Sequence, residues 1–156
     1  MCIRDSLAPV ALAAAVLLGV TGCAMISPQA TTIPYSPADG VNVPASGPLK
    51  VLNALFVADE SGENANFLAA IVNDTDSAET LLVGVDGANK SVRVPAHSSV
   101  SLGFDGAKPL LFEGIDTPPG SDVVVTFQSG DGEGVEQAVP VLDGTLEYLA
   151  DFVPKS

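Results

Sequence analysis

The sequence predicts a single all-β sandwich of about seven or eight strands, behind an N-terminal leader and a flexible tether. Three observations carry that expectation. Short β-branched or aliphatic runs recur from Leu49 onward, at spacings of roughly 8 to 15 residues. Several runs alternate apolar and polar residues, the period that sets one strand face on a core and the other in water. Asp-Gly and Pro-Gly pairs punctuate the runs, and no long stretch shows helical periodicity.

The leader comes first. Leu7 to Val20 is 14 residues long and apolar apart from Pro9 and Gly19. A membrane-spanning helix needs about 20 residues, so this length is that of a signal-peptide hydrophobic region; the alternative is an uncleaved short anchor or a buried helix. Directly after it stand Val20, Thr21, Gly22 and Cys23, a bacterial lipobox. Small residues before the cysteine let a lipidating enzyme alkylate the thiol, and a peptidase then cuts ahead of it. Residues 1–22 are therefore expected to be a lipoprotein signal peptide, with Cys23 the lipidated first residue of the mature chain. Met1 to Ser6 carries one Arg offset by Asp5 and resembles a translated adapter remnant, a non-native start in place of a basic one.

Residues 23–48 read as the lipidated cysteine and a tether. Prolines 28, 34, 37, 44 and 48 sit among Ser, Thr, Ala and Gly without strand or helix periodicity. Such a segment spans roughly 25 to 30 Å as a coil, or up to about 78 Å as extended polyproline II. Tyr35 within it reads as part of the spacer.

The domain is expected over 49–142, with a tail at 143–156. Strands are predicted at Leu49 to Ala58, Asn66 to Asn73, Thr80 to Val85, Ser91 to Val94, Ser99 to Phe104, Pro109 to Glu113, Asp122 to Gln128 and Glu136 to Val141. Val92 and Val94 share a face, as do Val123, Val125 and Phe127, and as are expected Val100, Leu102 and Phe104. The tail, with Leu146, Tyr148, Leu149 and Phe152, is expected to dock or to form a short helix.

Composition narrows the function. The chain has 6 Lys and Arg against 19 Asp and Glu, a net charge of −13, and loss of Arg4 and Asp5 with the leader leaves that balance unchanged. Nucleic-acid phosphates would be repelled, and so would anionic lipid, which leaves acyl chains as the expected membrane attachment. Each buried methylene contributes about 0.8 kcal/mol, so two or three chains hold firmly where one holds marginally. With Cys2 in the leader, no disulfide is available to the mature chain.

Candidate sites are sparse. Acidic residues cluster at Asp59, Glu60 and Glu63, at Asp74, Asp76 and Glu79, and at Asp131, Glu133 and Glu136. Asp59, Glu60, Glu63, Asp131 and Glu133 would serve calcium if loops at one end of the sandwich converged; the alternative is solvated turns that keep the sheet edges charged. His97 is the one histidine. Ser98 and Ser99 beside it in sequence make no triad without an orienting acid in reach, so it reads as an exposed turn histidine. A soft copper site lacks its several His, Met and thiol groups. Neither a phosphate loop nor a basic aromatic stripe occurs.

Leu49-Lys50-Val51, the run Phe67 to Asp74, Thr80 to Val85, Val94-Pro95-Ala96, Leu110 to Ile115 and Asp122 to Phe127 follow the order of the periplasmic copper chaperone family PCu(A)C. The chain resembles in particular the actinobacterial lipoprotein branch exemplified by LpqE, over roughly Leu49 to Val141. The resemblance implies a cupredoxin-like, immunoglobulin-type sandwich and, in the family, Cu(I) held by two His and two Met. Here Pro109 and Leu111 stand where the family's His-x-Met pair falls. The upstream His and Met fall in a segment shortened to about Asp86 to Ser91, which holds neither. His97 matches a turn position.

The expectation is a non-catalytic, lipid-anchored envelope lipoprotein on the outer face of the cytoplasmic membrane. It would act as a binding or structural module toward an envelope protein, with no cofactor, small-molecule substrate or nucleic acid. Two alternatives stand beside it, a divergent copper chaperone-like protein and a calcium-stabilised adhesion domain.

Overall fold

The computed structural model describes residues 38–104 and 106–155. Cys23, the lipobox, Tyr35 and most of the tether lie outside the described residues. Eight strands are present: β1 (Leu49–Ala58), β2 (Asn64–Asn73), β3 (Glu79–Val85), β4 (Ala88–Val94), β5 (Ser98–Leu102), β6 (Leu110–Glu113), β7 (Asp122–Ser129) and β8 (Val135–Leu142). They run in the order β4-β3-β7-β8-β1-β2-β5, with β6 also on β2. The all-β expectation holds.

β8 turns the sheet over on itself. Its residues from Val135 to Pro140 pair antiparallel with β7, and Val141 and Leu142 then pair parallel with Phe56 and Val57 of β1. One half of the sandwich is thus β4-β3-β7-β8 and the other β1, β2, β5 and β6. Between them Phe56, Phe67, Phe112 and Phe127 are fully buried, and Phe56 lies 5.2 Å from Phe67 and 5.7 Å from Phe112 in tilted and edge-on contacts.

β1 changes parity partway. Leu49 and Val51 face the core, yet so do Ala54, Phe56 and Ala58. One extra residue between Leu52 and Leu55 makes the change, a β-bulge at which Asn53 adopts a left-handed φ of 51°. Leu55 and Val57 consequently face outward, and the tail covers them: Leu149, 1% exposed, packs on Leu55, Val57 and Leu68 with Phe152 and Val153 beside it. The short 3-10 turn Ala150–Phe152 is the expected helix.

Strand ends differ from expectation in instructive ways. β4 begins at Ala88 because Asp86 and Gly87, with φ of 46° and 86°, make a two-residue hairpin that registers Val85 with Ala88. Its first half is polar and exposed, as edge strands are, so the apolar pattern did not mark it. β5 stops at Leu102. Gly103, at φ 89°, turns the chain away from the strand, and it rejoins the sheet where Leu110 meets Phe67. Phe104, expected on the core side with Val100 and Leu102, is therefore turned outward and 44% exposed.

Residues 40–48 also pair with the sheet, although the sequence assigns them to the tether. Val41 and Ala54 exchange two backbone hydrogen bonds of 2.9 and 2.7 Å, Val43 donates to the Val51 carbonyl, and Ser129 donates to the carbonyl of Ser46. This strap fills the edge of β1 below the point where β8 departs.

Candidate functional site

β2 is the ruler for every candidate, since β1, β5 and β6 all pair with it. Asn73 marks the end of the sandwich at Leu49, and Ala65 the end at Ala58. Leu111 pairs with Asn66 on the outer side of β6 and is 42% exposed. Pro109 stands just before that strand. His97 precedes Ser98, whose partner is Asn73. Seven residues of extended strand separate Asn66 from Asn73, about 23 Å, so the histidine is remote from Pro109 and Leu111. A proline, a leucine and a distant histidine do not fit Cu(I), which wants several soft or imidazole donors together. Among the described residues no three His, Cys, Asp or Glu side chains gather closely enough to hold a metal ion.

His97 occupies the turn between β4 and β5 at a left-handed φ of 49°. Its backbone N–H donates to the Thr75 carbonyl, and Nε2 lies 2.9 Å from Asp76 Oδ1. The two side chains are 65% and 99% exposed, so the pair is screened by water and worth little. The Ser98 hydroxyl donates to the Pro95 carbonyl, which removes it from any contact with the imidazole. What holds this corner is Asn73, 1% exposed, whose amide donates to the carbonyls of Ser77, Val94 and Pro95.

The acidic candidates separate to opposite ends. Asp59, Glu60 and Glu63 lie on the β1–β2 turn at the Ala58 end, while Asp131 and Glu133 lie on the β7–β8 loop, which packs against Ser46 and Gly47 near Leu49. The convergence that calcium would need is therefore not formed. Asp59 closes its own turn: Oδ1 accepts from the Ser61 hydroxyl at 2.6 Å and the Glu63 N–H, and Oδ2 from both nitrogens of Asn64. Those bonds, the Ser61 hydroxyl foremost, hold its carboxyl below the ordinary aspartate value. Asp143 is held low likewise, chiefly by the Thr145 N–H. Asp74 pairs with Lys50 at 2.7 Å on the exposed surface.

The feature that strand periodicity missed is an apolar surface on the outer side of β1, β2 and β5. A depression of about 140 Å³ is lined by Asn53, Leu68, Ala69, Ala70, Ser101 and Phe104. Leu52, 39% exposed, pairs with Ala70 at its margin. Phe104 meets Phe152 edge-on at 5.1 Å. No aromatic patch was expected from the sequence, because one ring sits on the excursion after Gly103 and the other in the tail. The φ demanded of Gly103 was the available signal.

No family model matches the sequence. A protein of Leifsonia xyli subsp. xyli (strain CTCB07), described as "Putative lipoprotein Lxx21020", is 32% identical over 144 residues, covering 83% of this chain and 86% of that one. Among solved structures, the apo PCuAC domain from PmoF1 superposes with a TM-score of 0.52 at 19% identity, over 64% of this chain and 97% of the domain. The copper-bound PCuAC domain from PmoF2 gives 0.51 at 17%, over 65% and 97%. Identities that low show a shared fold. A fold held in common with PCuAC domains and a sequence held in common with the Leifsonia protein lead to one conclusion: the chain belongs to the family of that lipoprotein, and its β domain has the fold of PCuAC domains.

Proposed function

We propose that this protein is a non-catalytic lipoprotein of the cell envelope, anchored on the outer face of the cytoplasmic membrane by acyl chains on Cys23. In this reading residues 1–22 are removed, the segment from Cys23 to about residue 37 is the tether, and the domain beyond acts as a binding module for another envelope protein. One observation carries the functional half. The chain has the PCuAC-type fold, and on the resemblance read from the sequence Pro109 and Leu111 fall where the family presents its His-x-Met pair, with His97 at the other end of β2. In this reading the scaffold serves without that ligand chemistry, since function resides in sites rather than folds. The lipobox and the lipoprotein relative support the anchor.

The test is crosslinking and recovery from intact cells, native protein against Cys23→Ala, with fatty-acid labelling and metal content read on the same material. The expected result is a labelled, membrane-bound native protein that brings down an envelope protein without metal, and a soluble, unlabelled Cys23→Ala. Membrane retention of Cys23→Ala would remove the anchor. Stoichiometric copper on the recovered protein would replace the binding module with the copper-handling alternative.

A further inference from the structure

The outer face of β1, β2 and β5 is divided in two. Its upper half lies under the tail, where Leu149 and Phe152 cover Leu55, Val57 and Leu68. Its lower half is uncovered: Leu52, Ala70, Val72, Ser99, Ser101 and Phe104 present a surface of apolar and hydroxyl groups. At the lower rim Lys50 neutralises Asp74. Among the described residues, no outward position of β1, β2 or β5 in this half is a carboxylate. The opposite face carries Asp122 and Glu136 on β7 and β8 with Arg93 on β4, and the two ends hold the acidic turns. The chain toward Cys23 leaves from the margin of this same surface. The Gly40 N–H donates to Asn53 Oδ1 at 2.8 Å, Asn53 lines the depression, and Asp39 accepts from the Tyr148 hydroxyl of the covering tail at 2.6 Å.

We propose that this uncovered half-face rests against the bilayer that holds the anchor. The proposal depends on the anchor part of the proposed function and adds an orientation to it. In a protein of charge −13, an anionic bilayer repels the acidic ends, and of the two faces this half-face is the one from whose margin the chain toward Cys23 leaves, with its rim carboxylate Asp74 paired to Lys50. Leu52 and Phe104 supply the exposed apolar area that such a contact buries. The contact can be weak, because the anchor of the proposed function keeps the domain near the membrane, at an effective concentration in roughly the millimolar range for a short linker. Leu82 and Val124, exposed on the opposite face, then point away from the bilayer toward a protein partner.

The chain contains no tryptophan, so a single introduced Trp reports its own surroundings. The mature chain from Cys23, with the thiol coupled to a maleimide lipid, is placed on vesicles of phosphatidylcholine and phosphatidylglycerol doped with headgroup-nitroxide lipid. Ser99→Trp reports the half-face, and Thr126→Trp on β7 reports the opposite one. The expected result is loss of most Trp emission at 99, little loss at 126, and recovery at 99 when Leu52→Glu or, separately, Phe104→Glu is added. Equal quenching at the two positions, or quenching at 99 that neither Glu relieves, overturns the proposal and leaves the half-face to a protein partner. Because the coupling supplies the anchor chemically, a failure of native lipidation shows in the Cys23→Ala fractionation and leaves this result standing.

Discussion

The strap, 40–48, and the tail, 143–155, both complete the sheet around β1, and they are held by opposite means. The strap lies backbone to backbone on its neighbours. A Cβ on Gly40 would stand 2.5 Å from the Ala54 carbonyl oxygen, one on Gly47 2.1 Å from that of Ser129, and one on Gly132 2.5 Å from that of Ser46. Gly47 also sits at φ 131°, a conformation that side chains rarely adopt. The tail touches the sheet through side chains, with Leu149 buried and Phe152 edge-on to Phe104. Its backbone ties to the sheet include the Phe152 carbonyl, which accepts from the Asn66 amide. The lesson is that close approach can be encoded by missing side chains as well as by large ones, and the two forms fail differently when mutated.

Gly47→Ala should break the strap most severely. The methyl group meets backbone that cannot move without carrying the β7–β8 loop with it, and the φ is strained as well, so the cost is about 4 kcal/mol. Denaturant unfolding should show it, with early proteolysis ahead of residue 49. A loss equal to an ordinary surface substitution would mean that the strap is not packed as described.

Leu149→Ala comes next, at about 3 kcal/mol for a buried leucine that leaves a cavity. Here the tail should be cut first by protease while the strap stays protected; simultaneous loss of both would erase the distinction between them. Asn53→Ala should cost about 1 to 2 kcal/mol, since it removes the acceptor for Gly40 and places alanine in a left-handed conformation. Asn53→Gly keeps the conformation and loses only the bond, so it should fall between Ala and wild type.

The smallest effect belongs to the hydrogen bond that joins the tail to Asp39, just ahead of the strap. The Tyr148 hydroxyl donates to Asp39, and that bond raises its pKa above the ordinary 10.0. A raised value means that the folded protein favours the neutral phenol. The link's contribution is therefore complete below the ordinary tyrosine pKa and is lost as pH rises through the folded value. Tyr148→Phe should abolish that alkaline step in amide exchange around Asp39 and leave global stability nearly unchanged.

The same contrast explains what the sequence made legible. All eight strands could be read because Val, Leu and Phe at period two report burial directly, as in Val123, Val125 and Phe127 on β7. The acidic turns and the exposed His97 were readable from the residues between strands. The strap was not, since Gly40, Ser46, Gly47 and Pro48 have the composition of a linker, and only the facing Ser129 and Gly132 show that they are clasped. The exposed half-face was hidden for a related reason. Phe104 keeps strand spacing with Leu102, and the φ of Gly103 rather than any side chain turns it outward. Of the candidate site, what was legible is that Pro109 and Leu111 carry side chains without a copper donor. That the calcium candidates lie at opposite ends required the pairing of β1 with β8 and of β8 with β7.

On the proposed reading, a scaffold with the PCuAC fold serves here as an anchored binding module that holds no copper. Its most direct test is a competition titration of Cu(I) against a chromophoric chelator, using the mature protein with Cys23 blocked so that its thiol does not contribute. No binding in the submicromolar range is the predicted outcome. Stoichiometric submicromolar binding would contradict the account, and it would require ligands other than those at the family's positions.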